Sequence, residues 1–204
     1  NTDVCMIAHK GYSGKYLENT DMAFTKAALN GFGGAETDVR FTKDGVFVCN
    51  HNETAKFKDG TEMEIASSTY AELAAQPLFN DKTADDIYLC TFRRYLEICK
   101  QHRMICFIEL KGEYSDAQIA ECLNLAAEVY ELSMCILQSF QIDNLVKARG
   151  MFPELRFMLT WGKDRGDYSR CFDYGFEIDS SYWSLSPKLI HDFHKRGLKA
   201  ACGQ

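Results

Sequence analysis

Short apolar runs alternate with amphipathic stretches along the whole chain, and this alternation narrows the folds open to it. VCMIA (4–8), AETDVRF (35–41), VFVCN (46–50), ICFIEL (105–110), MCILQSF (134–140), LRFMLTW (155–161), GFEID (175–179) and LKAAC (198–202) read as strands. Helical spacing recurs between them. Phe24, Ala27, Ala28 and Gly31 follow Asn19 or Thr20 as a cap, and Phe92, Tyr95, Leu96 and Cys99 follow Thr91. Ser115 and Gln118 stand at capping-box spacing before Ile119, Cys122, Leu123 and Ala126. Ile142, Leu145 and Val146 open a helix that ends near Gly150, a short helix fits 167–173, and Ser186, Pro187 and Gly197 bracket the last. About eight strands with helices between most of them predict an α/β fold with a parallel sheet. The count favours a (β/α)8 TIM barrel over an open doubly wound sheet. The 204 residues then form one catalytic barrel domain, 1–204.

Two irregularities qualify that barrel. Residues 52–90 are long and polar, with a short helix expected from Thr69 to Ala75; they read as a small insertion or lid after the third strand. The chain stops just after the eighth strand, so the last helix is expected to be absent from it. The turn Thr42-Lys43-Asp44-Gly45 leaves two paths open for VFVCN, a tight hairpin or a parallel strand.

Composition removes several function classes. A net charge of −6 argues against the basic face of a nucleic-acid binder. No run approaches the roughly 18 apolar residues of a membrane span. The nine cysteines include no C-x-x-C pair, which argues against zinc. Most lie in apolar runs, as buried free thiols would, and a reducing, cytoplasmic setting is expected from that. The chain begins with Asn1, so a processed N-terminus stays open.

Four strands end in groups that a purely structural strand would not carry. VCMIA runs into His9 and Lys10, AETDV carries Glu36 and Asp38, VFVCN runs into His51, and ICFIEL carries Glu109 before Lys111. Barrel active sites lie at the C-terminal ends of strands. Glu36 and Asp38 are two apart and share a face, where they repel unless a cation or a proton lies between them. Glu109 can supply a third carboxylate. An all-oxygen set selects a hard divalent cation, Mg²⁺ or Ca²⁺. His9 and His51 are the groups suited to proton transfer near neutral pH. Lys10 and Lys111 add positive charge for a phosphate. Trp161 and Trp183, near strand ends, are candidates for lining the pocket, with barrel packing or a surface place as the alternative.

The stretch AHKGYSGKYLENTDMAFTKAALNGFGGAETDVRFTKDGVFVCNHN resembles the signature of the glycerophosphodiester phosphodiesterase family. That pattern runs His-Arg-Gly, Glu-Asn-Thr with an Ala-Phe helix, Glu-x-Asp-Val, Thr-x-Asp-Gly and His-Asp. The likeness continues in IELKG (108–112) and LQSF (137–140) and covers essentially the whole chain. It implies a barrel with an insertion after the third strand, metal binding by Glu36, Asp38 and Glu109, and acid/base catalysis by His9 and His51. It also implies Lys111 near the phosphate and Glu18 in support of the first motif. The implied substrate is a small glycerophosphodiester, cleaved to glycerol phosphate and an alcohol. The nucleophile is the substrate's own glycerol hydroxyl, giving a cyclic intermediate, or a water.

Three departures stand out: Lys10 where the family usually has Arg, Asn52 where it usually has Asp, and the early end at Gln204. An ammonium keeps the charge of Arg but loses its bidentate fork. Two rivals follow. One is a phospholipase-like relative acting on lysolipid head groups or stopping at a cyclic product, for which apolar side chains in 52–90 would speak. The other is a non-catalytic phosphodiester-binding barrel.

Overall fold

A computed structural model describes residues 5–203. Its strands are β1 (Ile7–Ala8), β2 (Gly34–Phe41), β3 (Phe47–Cys49), β4 (Thr54–Lys56), β5 (Glu62–Glu64), β6 (Ile105–Leu110), β7 (Cys135–Ser139), β8 (Arg156–Trp161), β9 (Glu177–Ser181) and β10 (Ala200–Gly203). Its helices are α1 (Asp21–Leu29), α2 (Tyr70–Leu73), α3 (Phe92–His102), α4 (Asp116–Val129), α5 (Ile142–Met151), α6 (Arg170–Tyr174) and α7 (Pro187–His194). The main sheet runs β1-β2-β6-β7-β8-β9-β10 with every neighbour parallel, and β3 lies antiparallel on β2. This is the α/β barrel wall expected from the alternation, with β1 and β10 as its two ends among the described residues.

The third strand takes the hairpin path. Only a handful of residues separate Phe41 from Phe47, far fewer than the dozen or so that a parallel crossover needs. The Thr42 amide donates to the Val46 carbonyl at 2.9 Å, the Thr42 hydroxyl donates to Asp44 at 2.6 Å, and Gly45 takes φ +79. The first strand is shorter than its apolar run, and Val4 lies outside the described residues.

Helix starts follow the caps. The hydroxyls of Thr20, Thr91, Ser115 and Ser186 each accept an amide of the first turn. Ser115 and Thr69 both complete capping boxes, with Gln118 and Glu72. Thr20, not Asn19, caps α1, which leaves the Asn19 side chain for another task.

Strand register sorts side chains onto two faces. Ala35, Val39, Ile108, Leu137, Phe157, Leu159 and Ile178 face the helices and join Leu96, Ile119, Leu123, Leu145 and Phe193 in the main core. Each such large buried apolar side chain contributes about 1.5–3 kcal/mol. The opposite face is interior to the barrel and carries Glu36, Asp38, Glu109, Gln138, Thr160 and Asp179, as the pairs Asp38–Glu109, Glu109–Gln138 and Thr160–Asp179 require.

Residues 52–90 contain the β4–β5 hairpin, α2 and a second small core of Val48, Ala55, Phe57, Ile65, Leu73, Leu78 and Leu89. All nine cysteines are free thiols, seven of them buried and Cys5 and Cys202 exposed.

Candidate active site

The site begins with the ladder of β2 and β6. Asp38 pairs with Glu109 and Glu36 lies two residues before Asp38, so three carboxylates face one another. One oxygen from each lies within 4.8 Å of the others, and all three residues are buried. Glu36 Oε1, Asp38 Oδ1 and Glu109 Oε1 have no hydrogen-bond partner among the described residues. The Lys111 ammonium forms ion pairs with two of these oxygens, 3.1 Å from Asp38 Oδ1 and against Glu109 Oε1. Three buried carboxylates gathered in one place, with a single ammonium beside them, fit a hard divalent cation.

Electrostatics repeats this. Burial, then the neighbouring Asp38 and Glu109 charges, holds the Glu36 carboxyl well above its ordinary range. Burial also lifts Glu109, against the pull of Lys111. Burial opposes the charge on Lys111, but Asp38 and Glu109 together outweigh it and raise its pKa. A group this crowded with negative charge gains most from a cation in its midst.

Two histidines flank the carboxylates. His9 follows β1, and its Nε2 lies 3.9 Å from Glu36 Oε2. Burial, then the Lys10 charge, lowers its pKa. The turn behind it is tight: Lys10 has φ +56 and Gly11 φ +75, and a Cβ on Gly11 would meet Ala23 at 2.8 Å. His51 follows β3. The Asn50 amide donates to the Asp38 carbonyl at 3.0 Å, and Arg40 donates twice to the His51 carbonyl, at 3.1 and 2.7 Å. The hairpin therefore delivers His51 beside β2. Its Nδ1 lies 3.0 Å from Asn52 Oδ1, so Asn52 still offers the ring an acceptor, without a charge.

Lys10 is held two ways. Its backbone amide donates to Glu36 Oε2 at 2.9 Å, and its Nζ pairs with Glu18 Oε2 at 3.2 Å. Glu18 thus touches the first motif at Lys10. Trp161 is the last residue of β8. Period-two alternation gives the interior face of β8 to Thr160; the Trp161 ring lies edge-on to Tyr168, and its Nε1 donates to the Gly166 carbonyl. Trp161 is half-buried against the main core at the end of β8. Trp183 is 82% exposed.

Sequence reasoning missed Asn19. Its Nδ2 donates to Asp38 Oδ2 at 2.8 Å, and its Oδ1 accepts from the Thr37 hydroxyl and the Asp38 amide. It is buried, with φ +58, a region Asn tolerates better than most residues. The signal was an amide side chain beside a threonine already fit to cap. Arg165 was missed too: it stacks 4.1 Å from the centroid of Phe140, a ring that Lys111 also approaches, at 5.2 Å.

The parallel barrel wall, with buried carboxylates on its inner face, is that of a TIM barrel, the fold of its solved neighbours. The Glycerophosphoryl diester phosphodiesterase family model matches residues 9–202. The chain belongs to that family. It is 29% identical, over 95% of its length and 82% of the relative's, to a glycerophosphodiester phosphodiesterase of Caldanaerobacter subterraneus subsp. tengcongensis. It is 33% identical to Glycerophosphodiester phosphodiesterase 1 of Bos taurus, over 53% of the chain and 34% of that protein. In fold it matches an Oleispira antarctica phosphodiesterase solved with the product sn-glycerol-3-phosphate, at a TM-score of 0.87 and 20% identity over 98% of this chain and 84% of that one.

Proposed function

We propose that this chain hydrolyses small glycerophosphodiesters to glycerol phosphate and an alcohol, with a divalent cation held by Glu36, Asp38 and Glu109. The observation that carries the reading is the trio of buried carboxylates with unpartnered oxygens between two histidines. Bound there, the cation, Mg²⁺ or Ca²⁺, supplies Lewis-acid stabilisation of phosphate charge. His9 and His51 share the proton transfers: one takes the proton of the attacking hydroxyl, and the other gives one to the departing alcohol oxygen. Lys111 and Lys10 hold the phosphate oxygens by charge, and Glu18 keeps Lys10 extended toward them.

The whole chain serves as one catalytic domain, with residues 52–90 as the insertion that borders His51. Its apolar residues Phe57, Ile65, Leu73 and Leu78 are spent on its own core, and Phe79 is 43% exposed, which favours a water-soluble diester over a lysolipid. No helix among the described residues is long and apolar enough to cross a membrane. Free buried thiols suit a reducing compartment such as the cytoplasm.

The test is hydrolysis of glycerophosphocholine and glycerophosphoethanolamine with Mg²⁺, with Ca²⁺ and with EDTA. Turnover should need the cation and fall by at least about a hundredfold in His9→Ala and in His51→Ala. Turnover that survives EDTA and both substitutions would overturn the assignment.

A further inference from the structure

Period-two alternation on β2 puts Glu36, Asp38 and Arg40 on one face, with Arg40 the last of the three toward the strand's C-terminal end. Glu36 and Asp38 are candidate cation ligands; Arg40 has no part in that role. Its side chain is half-buried, and among the described residues its guanidinium forms no ion pair with a carboxylate. It is aimed at a neutral oxygen. Nε and Nη2 both donate to the His51 carbonyl, at 3.1 and 2.7 Å. A rigid fork that suits a carboxylate is here closed on one backbone oxygen.

That oxygen belongs to a segment with little backbone support. The β2–β3 ladder ends at the Val39–Cys49 pair, and just beyond it the Asn50 amide reaches the Asp38 carbonyl. Between that contact and Glu53, whose carbonyl accepts from the Ile65 amide, side chains do the fastening. Asn50 Nδ2 donates to the Asn52 and Thr54 carbonyls at 2.8 and 3.1 Å, and Asn52 Oδ1 meets His51 Nδ1 at 3.0 Å. Asn50 and Asn52 lie within the segment and brace it against itself. Of these side chains, only Arg40 reaches it from β2, the strand that carries Glu36 and Asp38. The geometry points to Arg40 as a positioning residue: its fork fixes the His51 backbone against β2 and so sets where the imidazole stands relative to the carboxylates. This role rests on the proposed function, in which His51 moves a proton. Displacing such a group by about 1 Å can cost on the order of a hundredfold in rate. Substrate binding rests instead on the carboxylates and lysines, which Arg40 does not hold. Loss of Arg40 therefore falls on kcat and spares KM.

The test compares wild type, Arg40→Lys and Arg40→Ala on glycerophosphocholine with Mg²⁺, per folded molecule. Histidine ring signals are recorded by NMR on the same samples, with His51→Gln to assign the His51 signal. Arg40→Ala should lower kcat by about a hundredfold and move KM by less than about threefold. Arg40→Lys keeps the charge but not the fork, and should stand between, about tenfold below wild type. It also carries the test if the alanine variant unfolds. The His51 ring signal should shift or broaden in Arg40→Ala and move back toward its wild-type position in Arg40→Lys. Wild-type kcat in every folded variant overturns the assignment, and so does a kcat loss with the His51 signal unmoved. A raised KM with kcat intact would make Arg40 a substrate contact and overturns it too. No turnover by wild type would reject the proposed activity, while the ring signals would still decide whether Arg40 holds His51.

Discussion

The two faces of one sheet obey opposite rules. The outer face presents Ala35, Val39, Ile108, Leu137, Phe157 and Ile178 to the helices, all tightly buried. The inner face, built from the alternate residues of the same strands, gathers Glu36, Asp38, Glu109, Gln138, Thr160 and Asp179, five of which hold an unpartnered oxygen. Stability comes from the first face. The second gives some of it up, because buried polar groups without partners oppose folding. A side-chain period of two lets one strand serve both purposes, and a slip of one residue would exchange them.

The contrast can be broken from the outer side first. Leu137→Ala, on the helix-facing side of β7, should lower unfolding free energy by about 2–5 kcal/mol in urea titration while leaving turnover per folded molecule intact. An equally large loss of turnover would mean that the faces are not separable. Next in size is Asn19→Ala. Asn19 contacts Asp38 but is not one of the three carboxylates, so cation affinity should fall by roughly tenfold to a hundredfold in a fluorescence or calorimetric titration, as for other groups that orient ligands. Unchanged affinity would reduce Asn19 to a packing residue. The smallest effect has the opposite sign. Glu36→Gln should raise stability in EDTA by about 1 kcal/mol, since an amide in that place ends repulsion with Asp38 and Glu109 and keeps an oxygen for the Lys10 amide. The same variant should lose turnover. Destabilisation in EDTA would show that Glu36 is structural.

Much of this division was legible in the sequence. Alternation in AETDV and ICFIEL places Glu36, Asp38 and Glu109 on one face, and the caps Thr20, Thr91, Ser115 and Ser186 begin helices as their residue types demand. What stayed hidden depends on contacts across the chain. The hairpin path of β3 rests on the Thr42–Asp44 turn geometry, and α2 docks on that turn through the Tyr70 amide and Asp44. Asn19 and Thr20 were equal candidates for a cap until tertiary contact with Asp38 decided between them. Glu177 and Asp179 repeat the two-apart spacing of Glu36 and Asp38. Only the structure separates their fates: Glu177 is neutralised by Arg156 at 2.8 Å, and Asp179 faces Gln138.

The central claim is that the inner carboxylates are arranged for a cation and not for stability. Thermal unfolding in EDTA and across a Mg²⁺ or Ca²⁺ titration tests it most directly, on wild type and Glu36→Gln. Wild type should gain about 2.7 kcal/mol at a hundred times the dissociation constant, with a midpoint that climbs with cation concentration, while Glu36→Gln stays nearly flat. A wild-type midpoint indifferent to both cations, or a variant that responds equally, would contradict the account.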